Sequence, residues 1–396
     1  MLDAEYARVL AAFSAEVSLL YNWLHSNALP LWFKVGYDRN AGGFFERVQL
    51  DGSPCETDNR RARVQPRQIY CFAAAGARNA SIDWREVVQH GFLWFERVYR
   101  RDDMFFGSVA SPTGIMVDES FDLYNQAFAL FAFANLAVSV QDCKEIMEEK
   151  ARALLHSLKA EYAHPEGGFH EGRPVKLPLC SNPHMHLFEA CLVWERVALD
   201  PAPWTALADE IADLAMTRFI DGGSGALREF FDHDWTPFPG EKGRIVEPGH
   251  QFEWAWLLTR WGLARSNPMA IAAAERLFEL GVKHGVCTER EVAFMGLFDD
   301  FSVSDPVARL WPQTEWLKAA ALLAQVNHGE QRTDYLRQAT RASTALRKFL
   351  ATEIPGLWYD KLSVDGTFVH EPAPASSFYH ILCSIYEVRD TLKQLQ

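Results

Sequence analysis

Five short glycine- and aromatic-rich segments punctuate this chain, and their spacing limits what it can fold into. They are Gly42-Gly43-Phe44-Phe45-Glu46, Met104-Phe105-Phe106-Gly107, Gly167-Gly168-Phe169-His170-Glu171, Gly225-Ala226-Leu227-Arg228-Glu229-Phe230 and Gly356-Leu357-Trp358-Tyr359-Asp360. The first four recur about every 60 residues and the fifth follows at about twice that interval, with Gly285-Val286-Cys287 a weaker candidate in the gap. Between them, apolar residues recur at i, i+3, i+4 and i+7 over 6–24, 126–138, 144–158, 184–197, 204–219, 252–263, 270–280, 311–325 and 335–351, the period of amphipathic helices. A period of this length holds two helices and a connection, and repetition of one such unit builds arrays or closed toroids. Six units fit 396 residues. The expected fold is therefore all-α: an (α/α)6 barrel, one ring of helices inside another, with short β-hairpins or loops at one mouth. The plainer alternative is an irregular helical protein with ordinary turns. No Pro/Ser-rich linker divides the chain, so residues 1–396 read as a single domain, and the polar stretch 232–249 reads as a long loop over the mouth.

Composition removes several function classes. A hydrophobic fraction of 48% supports a large core, and a net charge of -13 argues against nucleic acid and against an anionic membrane surface as partners. The longest apolar stretch, 128–140, falls short of the ~20 residues needed to span a bilayer. The N-terminus carries Asp3 and Glu5 where a secretory leader would carry Lys or Arg. Seven cysteines without Cys-x-x-Cys spacing read as reduced thiols, which places the chain in the cytoplasm, and Cys71, Cys191 and Cys383 sit in apolar runs as core fillers.

Five stretches carry residues suited to chemistry. In Glu247-Pro248-Gly249-His250-Gln251-Phe252-Glu253-Trp254, a Pro-Gly turn delivers His250 into the first turn of an apolar helix, with Glu253 three residues on and on the same face. A helix-capping histidine is the ordinary alternative, but an unpartnered Glu253 among Phe252, Trp254, Ala255 and Trp256 would be costly to bury. Asn182-Pro183-His184-Met185-His186-Leu187-Phe188-Glu189 repeats the His-x-x-Glu spacing; His184 and His186 are two apart and cannot share a helix face, so a metal site is not expected. In Trp311-Pro312-Gln313-Thr314-Glu315, the indole could stack on a sugar or simply pack in the core. Arg67 stands at the apolar edge of a charge run beginning at Asp58, placed to clamp an oxyanion or phosphate. His380 interrupts an apolar helix, where a lone histidine is usually a satisfied core residue. The chain has no glycine-rich phosphate loop, no Gly-x-Ser-x-Gly elbow and no metal motif, which sets aside kinase, dehydrogenase and serine-hydrolase chemistry.

Taken together, Arg67, the Asn182–Ala190 stretch, Pro-Gly-His-x-x-Glu-Trp, Trp-Pro-x-Thr-Glu and His380 resemble, in order, the N-acylglucosamine 2-epimerase family, which includes mannose isomerases, cellobiose 2-epimerases and a phosphomannose isomerase branch. The resemblance spans nearly the whole chain. It implies an (α/α)6 barrel with no cofactor and no metal, acting on a monosaccharide or sugar phosphate, with a homodimer among the assemblies open to it. It implies His250 as general base and His380 as its partner, Arg67 holding the O1/O2 region, Asn182 and His186 binding sugar with His186 aiding ring opening, Glu253 orienting base or substrate, and Tyr124 and Trp311 as walls. Arg244 is matched to a loop arginine of the isomerases, although the loop spacing differs. The context of His380 is closer to the isomerase branch, and four arginines within 60–67 point toward a phosphorylated sugar.

The expected reaction opens the sugar ring, removes the C2 proton of the aldose and stabilises an enediolate; protonation at C1 gives the ketose, at the opposite face of C2 the epimer. Two other readings compete. A glycoside hydrolase or lyase on the same barrel would use paired carboxylates, Glu253 with Glu315 or Asp118 with Asp122. A protein-binding relative would keep the barrel without the activity.

Overall fold

The computed structural model describes residues 2–78 and 81–396. Thirteen α-helices are seen among them. α1 (Leu2–Trp23) runs through a π-helical turn, Leu24–Ala28, into α2 (Leu29–Val35). Then come α3 (Val64–Ala77), α4 (Trp84–Tyr99), α5 (Leu123–Ser139), α6 (Lys144–Tyr162), α7 (Ser181–Val197), α8 (Ala202–Leu214), α9 (Pro248–Arg265), α10 (Pro268–Gly285), α11 (Leu310–Val326), α12 (Gly329–Phe349) and α13 (Ser376–Leu395). Helices α3, α5, α7, α9, α11 and α13 each touch the next, and α13 closes on α3, making an inner ring. The other helices pack outside it, each against its sequence neighbour in the inner ring, while α1 closes the outer layer against α12 and α13. This is the (α/α)6 toroid the repeat implied.

The inner helices explain why their amphipathic signal is weak. Over α9 and α11 nearly every residue is buried, because one face meets the barrel axis and the other meets the outer ring. The outer helices carry the stronger polar-apolar division. α4 was not among the periodic stretches, although Val87, Val88, Trp94, Phe95, Val98 and Tyr99 lie on one buried face at helical spacing, with Gly91 among them. The place of this glycine is explained by packing: a Cβ at Gly91 would lie 2.4 Å from the Phe44 ring. None of these helices is long and apolar enough to cross a membrane.

Short antiparallel pairings gather at the N-terminal ends of the inner helices. Arg60–Arg61 pairs with Val109–Ala110, which pairs with Met116–Asp118; Leu179–Cys180 pairs with Phe230–Phe231; Ile245–Val246 pairs with Gly296–Phe298. The stretch 232–249 is thus not a free loop, since its end joins the three-stranded sheet that also includes Val303–Asp305.

A repeated polar tie fixes five of the six mouth segments to their inner helices. The buried side-chain amides of Gln65, Gln126, Gln251 and Gln313 each accept from a backbone N–H and donate to the C=O of the same residue: Phe44, Phe106, Leu227 and Ala293. In the third unit His184 takes this place, its Nε2 bonding the Phe169 N–H at 2.9 Å and its Nδ1 facing the Cys180 carbonyl at 2.8 Å. In the sixth, Phe378 stacks on Trp358 instead. Replacing Gln126 by Leu strands a buried N–H and C=O at Phe106, and we expect a loss of about 2 kcal/mol or more, read as a lower urea midpoint with helical content retained.

Candidate active site

The tie residues set a register that builds the site. Two positions before each lie Arg63, Tyr124, Asn182, Gly249, Trp311 and Ser376; two positions after lie Arg67, Phe128, His186, Glu253, Glu315 and His380. Residues four apart share a helix face, so each inner helix points two rungs at the barrel axis. A cavity of about 280 Å³ opens there, lined by Arg61, Arg63, Arg67, Tyr124, Asn182, His186, Glu247, His250, Glu253, Met295, Arg309, Trp311, Ser376, Ser377 and His380. Every residue expected at the site from sequence, apart from Arg244, is in this wall. Arg244 instead pairs with Asp299 and Asp300 on the neighbouring hairpin, each at 2.8 Å, because the Gly296–Phe298 strand holds those acids beside it. His184 serves the fold.

His250 stands one residue ahead of its tie residue. At the same place Asn125 and Ser377 bond the mouth residues Ser108 and Asp360, at 3.1 and 3.0 Å. The mouth residue of the fourth unit is Glu229, and its Oε2 lies 2.9 Å from His250 Nδ1; Glu247 Oε2 lies 3.6 Å from the same nitrogen. The expectation that Glu253 would steer this ring is therefore corrected. Glu253 points to the floor of the cavity, 3.9 Å from His186 Nδ1, because the i+3 direction turns toward the axis while His250 turns back to the mouth. A Cβ on Gly249 would fall 2.4 Å from the Trp311 indole, so the missing side chain lets that ring lie against the His250 turn. Trp311 contacts both imidazoles, with ring centroids 5.0 Å from His250 and 5.8 Å from His380.

His380 has its own carboxylate, Glu315 Oε1, at 2.9 Å from Nδ1. With both Nδ1 atoms engaged, each ring has its Nε2 left for the cavity it lines. The two pairs are not charged alike. Burial alone would lower the pKa of His250, but Glu229 and Glu247 outweigh it and raise the value to about 10. Burial lowers His380 to about 4, with Arg67 and Lys318 opposing the pull of Glu315. Glu315 is weakened as a partner because Lys318 Nζ, wholly buried, sits 2.7 Å from its other oxygen. At neutral pH His250 is an imidazolium and His380 a neutral imidazole. Folding binds a proton at His250, a stabilisation complete below its ordinary value and lost as pH rises through about 10.

Among the described residues Arg67 is the pocket guanidinium without a carboxylate partner. It donates to the Tyr124 hydroxyl and lies 4.1 Å over the Phe128 ring. Arg61, Arg63 and Arg309 pair with Glu46, Asp122 and Asp360 around the rim. Asn182 Oδ1 is buried without a partner. His186 packs edge-on to Tyr124 at 4.8 Å, and burial lowers its pKa to about 3. The imidazole-carboxylate groups Glu229–Glu247–His250, Glu253–Glu315–His380 and His186–Glu189–Glu253 have metal-like compactness, but the first two are already built around close His–Glu pairs. The alternative of paired hydrolytic acids is not supported by this geometry: Glu315 is wholly buried and tied to Lys318 and His380, and Asp122 caps α5 and pairs with Arg63.

Residues 43–384 match the family N-acylglucosamine 2-epimerase (GlcNAc 2-epimerase). The chain belongs to this family. It is 58% identical over 377 residues, 95% of this chain and 97% of the relative, to a mannose-6-phosphate isomerase of Rhizobium meliloti. It is 24% identical over 370 residues, 89% of this chain and 92% of the relative, to a D-mannose isomerase of Marinomonas mediterranea. A solved D-mannose isomerase superposes with a TM-score of 0.85 at 21% identity, covering 94% of this chain and 98% of that one, which shows the shared fold.

Sequence reasoning missed Glu229, Glu247 as a partner, Arg309 and Lys318. A signal for Glu229 was present: the residue two after each tied backbone position is Glu46, Ser108, Glu171, Glu229, Met295 and Asp360, four of them acids. Replacing Glu229 by Gln removes a charge that raises the His250 pKa. The alkaline limb of kcat/KM should move toward neutral pH, and the imidazolium signal of His250 in NMR titration should move with it.

Proposed function

We propose that this sugar isomerase interconverts mannose 6-phosphate and fructose 6-phosphate through an enediolate, with neutral His380 as the base and imidazolium His250 as the acid. The unequal charging of the two imidazole-carboxylate pairs carries this reading, because groups whose environments push their pKa values apart divide acid and base work. It reverses the roles expected from resemblance, where His250 was the base. His380 takes the C2 proton and returns it to C1; the His250 imidazolium gives its proton to O1 as the C1=O bond opens and regains one from the O2 hydroxyl as the C2=O bond forms, while Arg67 meets the enediolate charge as it develops. Tyr124 and Trp311 wall the sugar, and Asn182 offers a buried amide to a hydroxyl. The name of the 58% identical relative supports the phosphorylated substrate. So do the rim arginines, with Arg61 and Arg63 lining both the cavity and an adjoining groove that contains Lys176, Ser108 and Ser120. Because His250 and His380 reach the cavity from different helices, a proton delivered by His250 to C2 would give the epimer instead.

Two measurements test this reading. Purified protein incubated with mannose 6-phosphate in deuterated water should give ketose with deuterium at C1 or retained C2 hydrogen transferred there, followed by NMR, and His380→Asn should abolish it. Failure to convert mannose 6-phosphate or mannose would end the proposal. Replacing Arg61 and Arg63 together by Ala should raise KM for the phosphorylated sugar by roughly 10-fold or more, the worth of charge-assisted hydrogen bonds, with little change for unphosphorylated mannose.

A further inference from the structure

Beneath the cavity, three buried carboxylates share one buried ammonium. Lys318 Nζ sits 2.7 Å from Glu315 and 3.9 Å over the Trp256 ring. Glu315 also takes His380 Nδ1 at 2.9 Å. Glu189 accepts a hydrogen bond from the Tyr379 hydroxyl and lies 3.5 Å from His186 Nδ1. Glu253 has no such support. It is 1% exposed, both of its oxygens are buried without a hydrogen-bond partner, and it lines the cavity.

The groups that face Glu253 decide its charge. They are Glu315 and Lys318 on α11, Glu189 and His186 on α7, His380 on α13, and His250 on its own helix. Lys318 is already matched by Glu315 and the His250 imidazolium by Glu229, and burial keeps His186 and His380 neutral. A further anion beside Glu315 and Glu189 would be buried, unpaired and without hydrogen bonds, which costs far more than holding a proton. Burial first, and Glu315 second, raise its pKa well above the usual carboxylate range.

We propose that Glu253 is a neutral carboxylic acid in the resting protein and is the acid that opens the sugar ring. Its proton passes to the ring oxygen as the C1–O5 bond breaks and that electron pair stays on oxygen. The O1 hydroxyl proton passes to His186, and the C1=O bond forms. Glu253 becomes a carboxylate and His186 an imidazolium, an ion pair built on groups 3.9 Å apart at rest. Closure of the product ring returns both protons. His380 stays free for the C–H steps and His250 for the enediolate oxygens. This step rests on the isomerase reading above.

Glu253→Gln keeps the shape and a hydrogen-bond donor but has no acidic proton to give. Infrared difference spectra of wild type minus Glu253→Gln at neutral pH should show the carbonyl stretch of a protonated carboxyl group, shifting in deuterated water. NMR exchange between the α and β anomers of mannose 6-phosphate should be accelerated by wild type and fall by about 100-fold or more in the variant, the scale of general acid catalysis. A missing carboxyl band, or anomer exchange that survives in a folded Glu253→Gln, overturns the proposal. Failure of the isomerase reading would look different: wild type would form no ketose, whatever its effect on the anomers.

Discussion

The buried polar tie that holds five of the six mouth segments to their inner helices, an amide in four of them, is the contact on which the site depends. It satisfies a backbone N–H and C=O that would otherwise be stranded inside the ring. In doing so it locks the segment against the helix at a single register. Once that register is set, the residue two beyond the tied backbone position meets the helix residue one before the tie. In two units this meeting joins Ser108 to Asn125 and Asp360 to Ser377, neutral or singly charged bonds of structural kind. In the fourth unit the same meeting joins Glu229 to His250. A device that holds the barrel together thus supplies, at one of its repeats, an imidazole with a carboxylate at its back.

The second imidazole is supported differently. His380 occupies an axial rung, and its carboxylate comes from the matching rung of the preceding inner helix. Lys318, one turn along from Glu315, takes much of that carboxylate's charge. Two rings that look equivalent in a residue list are therefore held in opposite protonation states by what lies behind them. Distance alone would not separate them, since both Nδ1–carboxylate contacts are 2.9 Å.

The sequence made the fold legible because the period is long and its markers are chemically unusual: glycine beside aromatic residues between helices. Most of the cavity wall was legible too, from local spacing and from the resemblance those spacings supported. The partners were not. Glu229 and His250 are separated by 21 residues, and Glu315 and His380 by 65, so no helical spacing links them. The i+3 rule pointed from His250 to Glu253, but a helix has an inward and a mouthward side, and which one a residue takes depends on the ring. His184 and His186 illustrate the same limit: two residues apart, one became a backbone tie and the other a cavity wall.

Gly249 has an effect out of proportion to its size. By leaving room for the indole of Trp311 against the His250 turn, it gives the chamber a flat, non-exchanging panel that touches both imidazoles. Indole carbon neither takes up nor releases protons at these pH values, so this side of the chamber insulates rather than conducts. Proton traffic is thereby left to the imidazoles and carboxyl groups on the other sides of the chamber, and a side chain at 249 would push the indole off the face it shares with both rings.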